Sequence, residues 1–170
     1  EARRKALPQT LQQRSRAVTE MVICDSREKK NAHILRYFDK NGIDYNIRKM
    51  DVADYQIEGN EKLVIDRKQN LDELATNLTN PQDKGRFWRE VRRAYSSGIK
   101  MIVLCEHGKG IKSIPDVVKW NSRYSTVTGH VLQEKIYQCH ISYGVEFLFC
   151  NKSETAARII ELLGGASDDK

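Results

Sequence analysis

The sequence has no apolar run longer than the five residues Met101-Ile102-Val103-Leu104-Cys105. A membrane helix needs about 20, so no stretch of the chain reads as a span. Its four cysteines, Cys24, Cys105, Cys139 and Cys150, form no close pair. That spacing argues against a disulfide framework and a zinc knuckle and suits a reducing, intracellular compartment. The first twenty residues carry five basic side chains and no apolar core, so they do not read as a secretory signal. Repeats and low-complexity tracts are lacking. Gly108 and Gly110 have no third glycine behind them and make no dinucleotide fingerprint. His33, His107, His130 and His140 share no metal spacing.

What is present is a charged, globular sequence. The 170 residues are 39% hydrophobic and 31% charged, with 29 Lys and Arg against 23 Asp and Glu, a net charge of +6. The length fits one domain with a core of its own. The basic excess is compatible with a polyanionic partner or with a solvated basic surface. Residues 1–20 read as a loose basic arm outside the fold, and 21–170 as the domain.

From Met21 the periodicities give a β-α-β-β-β-α-α-β-α-α-β-α order. A strand over Met21–Cys24 leads into Asp25-Ser26-Arg27-Glu28. A helix spans 32–41, and Ile43, Tyr45 and Ile47 alternate as in a half-buried strand. Residues 52–68 make a hairpin turning at Gly59-Asn60. Asn70 and Glu73 have the spacing of a helix start. A helix over 83–96 buries Phe87, Val91, Ala94 and Tyr95. Met101–Cys105 is apolar enough to be a central strand. Pro115 opens a short helix, residues 129–142 form another, Val145–Cys150 is the last strand, and Ser153 caps a final helix stopped by Gly164-Gly165. This is a mixed α/β domain with a central sheet flanked by helices.

The chemistry resides in Asp25, Asp54, Asp66 and Lys68. An acid, a spacer and a lysine occur three times in this chain, at Glu28–Lys30, Asp66–Lys68 and Asp168–Lys170. Only Asp66-Arg67-Lys68 ends an apolar strand, Leu63-Val64-Ile65, with another aspartate one hairpin away. A three-residue loop, Gly59-Asn60-Glu61, pairs Glu58 with Lys62, Ile57 with Leu63, Tyr55 with Ile65 and Asp54 with Asp66. The apolar side chains then share one face, and Asp54, Asp66 and Lys68 the other. Two carboxylates facing across a ladder repel. A Mg²⁺ or Mn²⁺ ion between them removes the repulsion, and a lysine on the same face can neutralise a phosphate, the equipment for phosphodiester hydrolysis. Pairing of both aspartates with lysines at a solvated sheet end is the other reading.

Asp25-Ser26-Arg27-Glu28, Asp54-Tyr55 and Asp66-Arg67-Lys68 with Asp72 together resemble the signature of the XPF-type nuclease family of the PD-(D/E)XK superfamily, which includes excision-repair and crossover-junction endonucleases. The resemblance covers roughly residues 21–163. It implies a restriction-endonuclease-like core, a metal-dependent endonuclease acting on branched DNA in repair or recombination, and paired nuclease domains. Asp25, Asp54 and Asp66 would be metal-site carboxylates, Lys68 the catalytic lysine, and Arg27, Arg67 and Asp72 supporting residues. Ala53 stands where the signature has glycine, a position suited to positive φ, and Asp66 stands where it has glutamate. The helix-hairpin-helix module that often follows this domain has no counterpart, so the chain resembles small phage or bacterial members. A catalytically silent DNA-binding or dimerisation module and a restriction-like nuclease on ordinary duplex are the alternatives.

Arg86, Arg89 and Arg93 fall on one helical stripe, and Lys109, Lys112 and Arg123 lie in polar stretches after the central strand. All six are candidates for DNA phosphates or for a solvated surface. The final helix, with Ile159, Ile160, Leu162 and Leu163, carries apolar surface for the sheet edge or for a second copy.

Overall fold

The computed structural model describes residues 20–164. The basic arm up to Thr19, Gly165 and the Asp168–Lys170 triplet lie outside the described residues. The elements run β1 (Val22–Asp25), α1 (Ala32–Lys40), β2 (Tyr45–Arg48), β3 (Tyr55–Ile57), β4 (Asn60–Lys68), α2 (Leu71–Thr79), α3 (Arg86–Ser96), β5 (Lys100–Glu106), a 3₁₀ helix (Ile114–Lys119), α4 (Gly129–Tyr143), β6 (Glu146–Cys150) and α5 (Thr155–Gly164). The order is the one the periodicities give.

The strands form one six-stranded sheet in the order β2-β1-β3-β4-β5-β6. Strands β1 and β2 are parallel, β3 runs antiparallel to both β1 and β4, and β4, β5 and β6 are parallel. Side-chain alternation along β4 and β5 divides the core in two. Val64, Met101, Val103 and Cys105 pack with residues of α2, α3, α4 and the 3₁₀ helix. Leu63, Ile65, Ile102 and Leu104 pack with Ile34 and Phe38 of α1 and with Ala156, Ile159 and Leu163 of α5. Both faces are covered, as parallel strands require.

Local signals act as expected at several joints. The Asn70 side chain accepts from the Glu73 N–H at 2.8 Å. Glu73 in turn accepts from the Gln69 N–H at 2.7 Å, so the start of α2 is closed from both sides. At Gly129, a Cβ would collide with the backbone oxygens of Val117, Val118 and Trp120. Only glycine lets α4 begin so close to the 3₁₀ helix. All four cysteines are free and buried. Burial pushes the Cys24 and Cys139 thiols up to about 12 and raises Cys105 and Cys150 as well.

Three expectations are corrected. The hairpin keeps the Tyr55–Ile65 pairing, but at its tip Ile57 pairs with Asn60 and the register shifts between them. The turn is therefore Glu58-Gly59, with Gly59 at φ +82°. Glu61 and Lys62 are exposed, so no buried side chain holds the longer loop in register. Ser153 does not cap α5: the helix begins at Thr155, and the Glu154 carbonyl accepts from the Arg158 N–H. Tyr95 is 61% exposed rather than buried, resting edge-on against Tyr143. The apolar residues of α5 are taken up by the sheet: Ile159 and Leu163 are buried, and Ile160 and Leu162 are partly buried against the same cluster.

No helix among the described residues is long and apolar enough to cross a membrane.

Candidate active site

The site is built at the C-terminal end of β4. Successive residues of a strand face opposite sides of the sheet, so Asp66 and Lys68 share the α2–α3 side while Arg67 points to the other. Asp54 lies just before β3. Its backbone N–H donates to the Ile65 carbonyl (3.0 Å), and its Oδ2 accepts from the Arg67 N–H (2.8 Å). These two bonds continue the ladder past Tyr55 and set the Asp54 carboxylate beside Asp66.

The residue before it bends the chain into place. Ala53 has φ +61°, in the left-handed region, although it is not glycine. Its N–H donates to Oε2 of Glu90 at 3.2 Å, and its side chain is fully buried. Glu90 also accepts from Arg86 Nε at 2.8 Å. The signature position thus keeps its positive φ with a side chain present, held by a carboxylate from α3.

A cleft of about 400 Å³ opens over these groups, lined by Glu28, Asp54, Asp66, Lys68, Glu73, Arg86, Phe87 and Glu90 among others. Asp66 Oδ2 is buried and has no hydrogen-bond partner among the described residues. Lys68 Nζ lies 2.7 Å from it, an ion-pair contact without hydrogen-bond geometry, and sits over the Phe87 ring at 4.9 Å. Burial, then the charges of Asp66 and Glu28, raise the Asp54 carboxyl well above its ordinary value. Burial likewise raises Glu28. Burial works against the Lys68 ammonium, but the Asp66 and Asp54 carboxylates hold its pKa above the ordinary lysine value. Lys68 is therefore a fixed cation. Five carboxylates and five cations line the cleft, and burial together with the Asp66 and Glu28 charges disfavours the ionised form of Asp54, a setting that a divalent cation relieves.

No group of three or more His, Cys, Asp or Glu side chains among the described residues forms a metal cage. Mg²⁺ does not demand one, since it is held by one or two carboxylates and keeps several waters. The carboxylates of Asp54 and Asp66, hard oxygen donors lining one cleft, fit such an ion.

The other expected residues divide. Asp25 does not line the cleft. Its side chain is fully buried and accepts from Arg27 Nε at 3.0 Å and the Met50 N–H at 2.9 Å. Arg27 also reaches the Met50 carbonyl at 2.6 Å, closing the strand end. Arg67 also lines the cleft, where it donates to Glu28 (2.6 Å) and the Lys29 carbonyl (2.7 Å), and it reaches Glu106 (3.1 Å) as well. Asp72 accepts from Ser122 Oγ at 2.6 Å. Of the arginine stripe, Arg86 lines the cleft, while Arg89 and Arg93 donate to the carbonyls of Lys84 and Asp51. Lys109 and Arg123 line a neighbouring cleft; Lys112 lines neither.

Glu28, Glu73 and Glu90 escaped the reading of the sequence as site residues. Glu90 had a legible signal: it lies among Phe87, Val91 and Ala94 on the apolar face of α3, where an acid is costly. Glu28 stood in the Asp25-Ser26-Arg27-Glu28 signature without a role of its own; Arg67, 39 positions away, holds it at the cleft.

Residues 24–163 match the family model described as ERCC4 domain. The chain belongs to the ERCC4 domain family. Strands β2 to β6, the end of β1, the carboxylates and Lys68 fall inside the matched ERCC4 segment. Among solved structures the chain is similar to XPF from Aeropyrum pernix, with a TM-score of 0.64 and 15% identity over 87% of this chain. It is also similar to XPF from Aeropyrum pernix in complex with DNA, with a TM-score of 0.62 and 16% identity over 87% of this chain. At these identities the likeness establishes the fold, and this ERCC4 chain spans 65% of the length of either. No curated protein matches it in sequence.

Proposed function

We propose that this chain is a divalent-metal-dependent DNA endonuclease that acts on branched DNA. The observation that carries the proposal is the buried Asp66 carboxylate, ion-paired with Lys68 at 2.7 Å and set across the ladder from Asp54, in an open polar cleft. Asp54 and Asp66 hold Mg²⁺ or Mn²⁺, and the bound ion supplies Lewis-acid stabilisation of charge developing on the phosphodiester. Lys68, a fixed cation, neutralises a phosphate oxygen and orients the attacking water. Arg86 brings a second cation to the cleft wall. Arg67 fixes Asp54 through its backbone and Glu28 through its side chain. Asp25, with Arg27, supports the site from below as a buried strut. The domain we assign runs from 21 to 170.

Arg89, Arg93, Lys109, Lys112 and Arg123 extend the phosphate contacts outward from Arg86. A single domain of modest charge makes few such contacts, and each adds a small, salt-sensitive increment. A second copy of the chain would double the footprint. Val131, Tyr137 and Ile141 leave α4 with exposed apolar surface for it (42%, 39% and 80% exposed). A silent DNA-binding module would have no use for carboxylates kept together at the electrostatic cost that the raised Asp54 records.

Incubation of the pure chain with labelled flap, fork, four-way-junction and linear duplex DNA in Mg²⁺ or Mn²⁺ tests the proposal. Cleavage of a branched substrate ahead of linear duplex is expected. Cutting that persists in EDTA would overturn the metal mechanism, and equal rates on all four substrates would overturn the preference. Sedimentation at micromolar protein tests the dimer, which a monomer throughout would refute.

A further inference from the structure

Next to the acidic cleft lies a larger one, about 620 Å³, lined by Asp72, His107, Lys109, Trp120, Arg123 and Tyr124 among others. The two clefts share Gln69, and the first turn of α2 divides them, with Asp72 on one side and Glu73 on the other. Their chemistry differs. The carboxylates of the second cleft are already engaged: Glu106 by Arg67 and His33, and Asp72 by Ser122. Lys109 and Arg123 make no ion pair among the described residues. The second cleft therefore offers two cations, Lys109 and Arg123, that no carboxylate among the described residues holds.

Its second property is an aromatic ring presented to solvent. Tyr124 is 86% exposed, the most exposed of the large hydrophobic residues described. It stacks on no aromatic partner among the described residues. The loop that carries it is held at several points. Asn121 and Thr128 pair as a β-bridge across its base, and the Ser122 N–H donates to the Val127 carbonyl at 3.1 Å. Ser122 Oγ accepts from the N–H groups of both Tyr124 and Ser125 at 3.1 Å and donates to Asp72 Oδ1 at 2.6 Å. One hydroxyl thus folds the loop onto itself and ties it to α2. The backbone at Tyr124 is anchored, and its ring projects from it into solvent.

An exposed aromatic face beside unpaired cations is the combination that binds single-stranded nucleic acid. Every base has a π-face to stack, and the cations follow the phosphates. A base inside a duplex has both faces occupied by its neighbours. We propose that this second cleft takes an unpaired stretch of the DNA, with a base stacked on Tyr124 and phosphates on Lys109 and Arg123. Asp72 acts as a positioning residue that holds the loop through Ser122. The inference rests on the nuclease reading in supplying DNA as the ligand, and it adds how a branch is told from a plain duplex: the unpaired arm has its own seat beside the cleft that cuts.

Fluorescence anisotropy with a labelled oligothymidine and a labelled duplex tests it, on the full chain in EDTA so that nothing is cut. Tyr124→Ala should weaken oligothymidine binding about 5- to 100-fold, the range expected for loss of one stacked base, and leave the duplex within about twofold. Tyr124→Phe keeps the ring and should bind as the parent does. Asp72→Ala frees the loop and should weaken oligothymidine binding, whereas Asp72→Asn keeps an oxygen for the Ser122 hydroxyl and should restore it. Unchanged oligothymidine binding in Tyr124→Ala, or an equal loss on duplex, would overturn the inference. An Asn variant as defective as the Ala one would overturn the role given to Asp72. A chain that cuts no DNA yet binds oligothymidine through Tyr124 would leave this inference standing while the nuclease reading fell.

Discussion

The backbone N–H of Arg67 donates to Oδ2 of Asp54 at 2.8 Å. The strand that carries Asp66 and Lys68 therefore also fixes the carboxylate across from them, through a group that no substitution at position 67 except proline removes. The position of Asp54 is a property of the ladder rather than of its rotamer alone.

Asp66→Asn and Asp54→Asn should each abolish cleavage, by at least about 100-fold, while the fold persists. Asp54→Asn removes a carboxylate whose charged form burial disfavours, so that metal-free variant should melt no lower than the parent, whereas Asp66→Asn leaves the buried Lys68 ammonium without its carboxylate and should melt lower. Ca²⁺, larger and looser in its geometry, should bind but support little cutting. Cleavage assays paired with circular dichroism check both halves.

Arg67→Met should cost about 3–5 kcal/mol of stability, because Glu28 and Glu106 are left buried without their guanidinium. Arg67→Lys should recover only part of this, since an ammonium cannot span Glu28, Glu106 and the Lys29 carbonyl as the planar fork does. Urea unfolding measures the difference.

Stability and metal binding should be linked through pH. The Asp54 and Glu28 carboxyls are raised in the fold from 3.8 and 4.5, first by burial. The folded state then holds these protons more tightly than the unfolded chain. Their stabilising contribution is present at low pH and is lost as pH rises from those ordinary values through the raised ones. Mg²⁺ competes with the same protons, so the rise in Tm on adding Mg²⁺ should grow from mildly acidic to neutral pH. Thermal melts across that range, with Mg²⁺ and with EDTA, read it directly. A Mg²⁺ shift independent of pH would count against Asp54 as one of the ion's ligands.

Ala53→Gly should be neutral or stabilising by up to about 1.5 kcal/mol. A left-handed residue with a Cβ costs about 1–2 kcal/mol, and glycine's extra freedom in the unfolded chain returns about 0.5–1 of it. Ala53→Val, branched and buried at φ +61°, should lose about 2 kcal/mol or more. Differential melts of the three chains settle the order.

Most of the architecture was legible because burial speaks through period. The Leu63-Val64-Ile65 run and the alternation around Tyr55 place Asp54, Asp66 and Lys68 on one side without any structure. The hairpin tip was not legible, since Glu61 and Lys62 face solvent and either register satisfies them. The position of Asp25 was only half legible. Its strand end is plain in the sequence, but whether a carboxylate there faces the cleft or is consumed by Arg27 and Met50 depends on a loop with no period. Tyr95 misled for a related reason: it continues the apolar stripe of α3, but the helix ends one residue later and its last turn overhangs the core.

The four buried thiols have a practical consequence. Thiol reagents attack the thiolate, and Cys24, Cys105, Cys139 and Cys150 are shielded from solvent and shifted away from ionising. A single cysteine introduced on the surface would be the one site in the described fold that a maleimide dye labels. A dye on the 121–128 loop and another on an oligonucleotide could then follow an unpaired arm into its seat in real time, with the four native cysteines left in place.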